Sequence, residues 1–190
     1  ATGNVTYTRN VTNKYGTICL PYASVSTTGA IFYRVAGKEE GSKVYLESVD
    51  ALEAGVPYIF EKTANTITVT CQGEAVAEAR SANGLVGNFT NEFIVPANNY
   101  ILYSNAFIPA DGTTNKVNAY RAYLDMDAVT GGAPVQMPGR RYIGMDVQGE
   151  NVETGVEDLI TTDAPVKVIE NGQLIIIRDG VKYNVQGQKL

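Results

Sequence analysis

Polar and apolar residues alternate with a period of two along much of the chain. From Val5 to Thr12, the residues Val5, Tyr7, Arg9 and Val11 alternate with Thr6, Thr8, Asn10 and Thr12, the repeat of a strand with one exposed face. Further strand-like runs follow at short intervals: Gly16 to Tyr22, Ala30 to Ala36, Lys43 to Val49, Val56 to Lys62, Asn65 to Cys71, Phe93 to Pro96, Tyr100 to Ser104, Val117 to Met126 and Arg141 to Val147. Turn-forming clusters separate them, among them Ser26-Thr27-Thr28-Gly29, Gly37-Lys38-Glu39-Glu40-Gly41, Ala97-Asn98-Asn99 and Asp111-Gly112. Short strands in this number each bury one face by stacking on a second sheet. The pattern therefore predicts an all-β, two-sheet antiparallel β-sandwich. Glu74 to Ala82 is the best helix candidate, because Ala and Glu favour it, although so short a helix needs tertiary support. At most one or two short helices are expected.

The end of the chain carries the clearest local pattern. Val166 to Glu170, Gln173 to Arg178 and Val181 to Val185 are joined by Asn171-Gly172 and Asp179-Gly180, dipeptides that accept positive φ at both central positions of a type I′ turn. Two-residue loops fix the register of the resulting three-stranded C-terminal meander. They pair Glu170 with Gln173, Ile169 with Leu174, Arg178 with Val181 and Ile176 with Tyr183. Leu174-Ile175-Ile176-Ile177 is apolar on both faces, so either the sandwich or a neighbouring molecule must cover it, the second case being self-association through the meander. Before it, Gly149 to Pro165 holds Glu150, Glu153, Glu157, Asp158 and Asp163 without a basic residue and reads as an acidic linker or crossing segment. The expected organisation is a sandwich domain over 1–148, the acidic segment over 149–165 and the meander over 166–190.

Composition narrows the chemistry. The chain of 190 residues is long enough to bury a core without metal or disulfide staples. Val, Ile and Thr together make up 52 residues and Tyr another 12, which supports the strand reading. Fifteen basic and twenty acidic side chains give a net charge of −5. A surface of that sign repels phosphate backbones and anionic lipid, so nucleic acid is not an expected partner. Histidine is absent, which removes Ser-His and Cys-His mechanisms and most zinc sites. No apolar run approaches the roughly 18 residues of a membrane span. The sequence begins at Ala1 rather than Met, and a secretion signal is expected to have been removed.

Several segments resemble a known family. Thr17-Ile18-Cys19-Leu20-Pro21-Tyr22, Leu52-Glu53-Ala54-Gly55-Val56-Pro57-Tyr58-Ile59-Phe60, Asn83-Gly84-Leu85-Val86-Gly87 and the closing Asn171-Gly172-Gln173 and Asp179-Gly180-Val181-Lys182-Tyr183-Asn184-Val185-Gln186-Gly187 are similar to the C-terminal β-rich region of secreted and surface proteins of Bacteroidetes. In those proteins such a region follows leucine-rich repeats, immunoglobulin-like modules or catalytic domains, and the final stretch resembles their C-terminal sorting tails. The resemblance implies export and an extracellular or cell-surface address. It brings no catalytic motif.

The chemistry-bearing residues each have a plain structural reading. Cys71 shares the inward side of its run with Ile67 and Val69, while Cys19 lies opposite Ile18 and Leu20. A disulfide between them would suit an exported protein, but two separate buried thiols are favoured, because this much core needs no link and free Cys is often buried. A nucleophilic thiol lacks an activating base. Asp125 and Asp127 would share a face in a continuing strand, as two glycosidase carboxyls or two calcium ligands might. The favoured reading is a solvated surface beside Val117, Ala119, Arg121 and Tyr123, with Arg121 offsetting Asp125, and with Tyr120, Ala122, Leu124 and Met126 forming the apolar side. Arg140-Arg141 could grip an anion but reads as a solvated pair. Tyr7, Tyr33, Tyr100 and Tyr120 read as packing rather than as a sugar-stacking platform. Asn4, Asn10 and Asn88 begin glycan-acceptor tripeptides, a pattern common by chance.

No catalytic, cofactor or metal residue is therefore assigned, and no cofactor is expected. The sequence predicts a non-catalytic exported surface module with a structural or adhesive role. The alternative is a carbohydrate-binding module, and a carboxylate-only glycoside hydrolase comes third. A surface glycan or protein is the expected partner.

Overall fold

In the run Pro57–Lys62, Tyr58 and Phe60 alternate with Ile59, yet all three are buried. Tyr15–Cys19 is buried at every position. Strands without a wet face belong to a sheet that is covered twice.

The computed structural model contains such a sheet. It describes residues 4–39, 42–132, 140–144, 155–157, 166–170, 173–178 and 181–183. The chain divides into two compact units, residues 1–156 and 157–190. In chain order the strands are β1 (Val5–Asn10), β2 (Tyr15–Cys19), β3 (Ala23–Thr28), β4 (Ala30–Glu39), β5 (Lys43–Val49), β6 (Pro57–Lys62) and β7 (Thr66–Gln72). These are followed by β8 (Ser81–Ala82), β9 (Leu85–Asn88), β10 (Phe93–Ile94), β11 (Tyr100–Tyr103), β12 (Ala106–Pro109), β13 (Lys116–Val117), β14 (Arg121–Leu124), β15 (Arg140–Gly144) and β16 (Gly155–Glu157). The second unit contains β17 (Val166–Glu170), β18 (Gln173–Arg178) and β19 (Val181–Tyr183). No helix occurs among the described residues.

Six strands in the order β16-β15-β5-β4-β6-β2 form the central sheet. A five-stranded sheet, β12-β11-β14-β9-β8, covers one face, and a three-stranded sheet, β1-β7-β3, covers the other. Alternation sorts the central side chains between two cores. Tyr33, Ile59 and Leu46 meet Leu85, Phe107 and Leu124 on one side. Phe32, Tyr58 and Phe60 meet Ile67, Val69 and Cys71 on the other. The all-β antiparallel sandwich is thus present, with a third layer added where the sequence suggested two, and β10 and β13 pair as a further two-stranded sheet.

Strand β2 ends the central sheet, and part of its outer edge is closed by the entry to β14. Cys19 N–H donates to Tyr120 O at 3.0 Å. The buried Thr17 hydroxyl donates to Ala122 O at 3.1 Å and accepts Ala122 N–H at 3.0 Å. One side chain therefore replaces both bonds of a ladder position and joins two layers.

Local departures from the sequence expectation have physical causes. Residues 74–82 are not a helix, because their backbone donors and acceptors serve distant partners: Val76 N–H bonds Pro21 O, Arg80 N–H bonds Gly55 O and Arg80 O accepts Gly87 N–H. Long-range pairing outweighs the modest propensity of Ala and Glu. The Ser26-Thr27-Thr28-Gly29 cluster is a turn only at Gly29, whose φ is +85°. Its three preceding residues belong to β3, where a bulge between Ser24 and Ser26 shifts the register. The run Val117 to Met126 breaks at Tyr120, whose φ of +62° reverses the alternation. Tyr120 consequently points outward, 40% exposed, while Ala122, Leu124 and Met126 remain buried.

In the second unit, β18 pairs with both neighbours in the register set by two-residue loops, Glu170 with Gln173, Ile169 with Leu174, Arg178 with Val181 and Ile176 with Tyr183. The turn dipeptides Asn171-Gly172 and Asp179-Gly180, and Asn184 and Val185, lie outside the described residues. So does the acidic segment Gly149 to Pro165, except for β16.

The link between layers is testable. Thr17→Val is expected to lower unfolding stability by about 1–3 kcal/mol, because it leaves the Ala122 N–H and C=O without partners. Thr17→Ser, which keeps the hydroxyl, should lose less. Chemical denaturation of the three proteins checks this, and equal stability of the valine variant would contradict the assigned role.

Candidate functional site

Where β2 meets the β13–β14 region, the layers leave a cleft of about 370 Å³. Arg9, at the end of β1, and the following Asn10 to Asn13 form one wall. Lys116, Asn118 and Arg121 form the opposite wall, with Tyr15, Gly16, Thr17 and Phe60 between them. Gly16 pairs with Phe60 across the β2–β6 ladder, and a Cβ on Gly16 would collide with the Phe60 ring. The missing side chain lets the ring lie against β2.

That ring and β2 fix Arg9. Its guanidinium lies 5.0 Å from the Phe60 centroid, and its Nη1 donates to Thr17 O at 2.9 Å. A cation over an aromatic face gains about 0.5–2 kcal/mol, and the hydrogen bond adds direction. Across the cleft, Arg121 is partly buried between Tyr120 and Ala122. Burial lowers the pKa of its guanidinium, and the nearby Tyr7 opposes that shift. Burial likewise raises the Tyr7 pKa, with Arg121 pulling it back. Among the described residues, Arg121 has no hydrogen-bond acceptor and no ion-pair partner. Lys116 reaches Glu92 at 3.7 Å on the exposed rim.

The opposite wall depends on Asn88. This buried amide donates to Thr90 O at 2.6 Å and to Asn118 O at 3.1 Å, and its oxygen accepts Thr90 N–H at 2.9 Å. Tyr120 N–H bonds Asn88 O at 2.8 Å. The glycan-acceptor tripeptide at Asn88 is therefore spent on internal bonds. Asn4 and Asn10 are exposed.

The other sequence candidates do not converge on this cleft. Asp125 does not share a strand face with Asp127: its Oδ1 accepts N–H groups from Asp127 at 3.1 Å and Ala128 at 3.3 Å, which makes it the cap of a turn. Arg121 forms no ion pair with it. Among the described residues no group of three His, Cys, Asp or Glu side chains could hold a metal. Arg140 and Arg141 open β15, and their side chains lie outside the described residues.

The tyrosines make a second, smaller feature. Tyr7, Tyr22 and Tyr120 line an apolar cleft of about 120 Å³ beside Leu20, Pro21 and Cys71. Tyr7 meets Tyr120 edge-on, with centroids 6.2 Å apart and planes at 78°. Phe89 approaches Tyr120 at 56°. Rings at these angles pack on each other and leave no flat stacking platform. Tyr33 is buried in the main core, with its hydroxyl donating to Glu61 Oε2 at 3.1 Å, and Tyr100 packs against the same core.

Both cysteines are free and buried. Cys19 Sγ donates to Gly55 O at 3.2 Å and packs against Gly87, where a Cβ would stand 2.5 Å from the sulfur. Burial pushes its pKa up to about 12. Cys71, in the core with Ile67 and Val69, is also raised by burial. Neither thiol is suited to nucleophilic work.

Arg9, Arg121 and Lys116 were not singled out as a site by sequence reasoning. Arg9 falls on the Val5, Tyr7 and Val11 side of its run and Arg121 on the solvated face of another, and only the joining of β2 to β14 brings them to one cleft. No protein-family model, curated protein or solved structure matches the chain.

The thiol assignment has a direct check. Near pH 8 the native protein should leave Cys19 and Cys71 unreacted with a thiol reagent, whereas both should react in concentrated guanidinium chloride without reductant. The missing equivalents in denaturant would reveal a disulfide, and rapid native reaction would contradict the burial.

Proposed function

We propose that the chain is a non-catalytic module of an exported protein with a structural or adhesive role at the cell surface, and that the Arg9–Arg121 cleft is its contact site. The observation that supports this reading is the cleft lining: cations, amides and two aromatic residues, with no carboxylate and no thiol. Such groups hold and orient a ligand, and the pair of facing carboxyls that a carboxylate-only glycosidase requires is not among them. Export and the surface address rest on the sequence resemblance to secreted Bacteroidetes proteins. A carbohydrate-binding module is the second reading. The presence of Asn13 and Asn118 in a polar cleft favours it, and the tilted packing of Tyr7, Phe89 and Tyr120 counts against recognition by ring stacking.

Beads coated with the chain should adhere to surfaces carrying polysaccharide or protein and release neither reducing sugar ends nor new amino termini on long incubation. Arg9→Gln combined with Arg121→Gln, folded by circular dichroism, should reduce adhesion at least severalfold. Steady release of cleaved product, abolished by a point substitution, would make the chain an enzyme and end this reading.

A further inference from the structure

We infer that the cleft between β1 and the β13–β14 region binds an anionic sugar unit of a polysaccharide, a hexuronate or a sulfated hexose, with Arg121 as the principal anchor of its oxyanion. The inference rests on the module reading above and names the class of ligand the module holds.

Arg121 carries most of the argument. A guanidinium offers five N–H donors in a planar fork that matches carboxylate and sulfate oxygens. Removing such a group partly from water without an acceptor is unfavourable, and native structures rarely retain that arrangement without a reason. Here Arg121 is partly buried, lines a cleft and, among the described residues, lacks both an acceptor and a counter-charge.

Charge and preorganisation support the same conclusion. The chain is acidic overall at −5, yet the charged residues lining the cleft are Arg9, Lys116 and Arg121. Arg9 is already held by Thr17 O and the Phe60 ring, so it loses little freedom when a ligand arrives. A free fatty acid is a poor match for walls that carry Asn13 and Asn118. Those amides suit hydroxyl groups. The volume of about 370 Å³ lies near the lower end of small-ligand sites, about 300–1,000 Å³, which suits a short stretch of sugar chain rather than a duplex.

Calorimetric titration of the full chain tests the inference with an oligogalacturonate, its methyl ester, a chondroitin sulfate oligosaccharide, inorganic sulfate and an Asp/Glu-rich peptide. Oligogalacturonate or the sulfated oligosaccharide should bind with an affinity that falls as salt rises. If the carboxylate is the anchor, esterification should weaken binding at least about tenfold, since charge-assisted bonds are the strong ones. Arg121→Met should weaken the charged saccharide about ten- to hundredfold and raise the melting temperature, because it removes an unpaired charge from a partly buried position. A purely structural arginine would lower that temperature on replacement. Should Arg121→Met fail to fold, Lys116→Gln on the rim supplies the test through a loss of about threefold or more.

Equal binding of the ester and the acid, with no preference for the sulfated oligosaccharide, would overturn the anionic assignment and leave the module reading intact. So would binding of the acidic peptide alone, which would make the partner a protein. Inorganic sulfate binding as tightly as the oligosaccharides, or no binding by any probe, would also overturn it. Depolymerisation of either saccharide would instead overturn the non-catalytic reading.

Discussion

Strand β2 imposes the constraint on which the arrangement depends: it is buried on both faces and ends a sheet, so its outward backbone groups need partners that water cannot supply. A full neighbouring strand would satisfy them but would also extend the sheet and separate the layers. The chain instead crosses the edge briefly. Tyr120 O takes the Cys19 N–H, and the Thr17 hydroxyl serves both backbone groups of Ala122. The positive φ at Tyr120 lets the crossing segment turn into β14 and the five-stranded sheet. A β-branched hydroxyl residue thereby acts as a backbone surrogate. Its carbonyl remains available on the other side, where it accepts Arg9.

The cleft follows from that crossing. Ala122 must face the core to meet the other layer, and alternation then sends Arg121 to the opposite side of the backbone. On β2, Gly16 yields its side-chain space to Phe60, and Phe60 supports the Arg9 guanidinium. Arg9 is therefore positioned by packing that serves the fold first, and Arg121 by the alternation that buries Ala122.

Most of the architecture was legible from local pattern, and the site was not. Alternation in Lys43 to Val49 and the I′-type turn dipeptides of the meander depend on neighbours in sequence, and β5 and the β17-β18-β19 register follow from them. The burial of Cys71 with Ile67 and Val69 was legible in the same way. Elements governed by distant partners were read less well. The Glu74 to Ala82 segment favours helix locally, and its bonds to Pro21 and Gly55 are invisible to any window on the sequence. Ser26 to Thr28 looks like a turn because small hydroxyl residues are common in turns, yet they also suit an outer strand with a bulge. The convergence of Arg9, Lys116 and Arg121 has no local trace, since it depends on the crossing at Tyr120.

The economy of the acidic side chains gives the unpaired arginine its meaning. Among twenty acidic residues, Asp125 follows Arg121 closely in the same segment. Its carboxylate instead caps a turn through the N–H groups of Asp127 and Ala128. Asp111 is spent similarly, accepting from Thr113, Thr114 and Asn115, and these bonds hold its pKa well below the usual carboxylate range. Arg34 and Glu47 pair on the surface, 2.7 Å apart, where an ion pair contributes little. These carboxylates serve turns and an exposed pair, and among the described residues none pairs with the partly buried guanidinium. A fold under no other demand would gain stability from an acid beside Arg121 or from an apolar residue in its place. The retained positive charge is most simply explained by an anion that arrives from outside the chain.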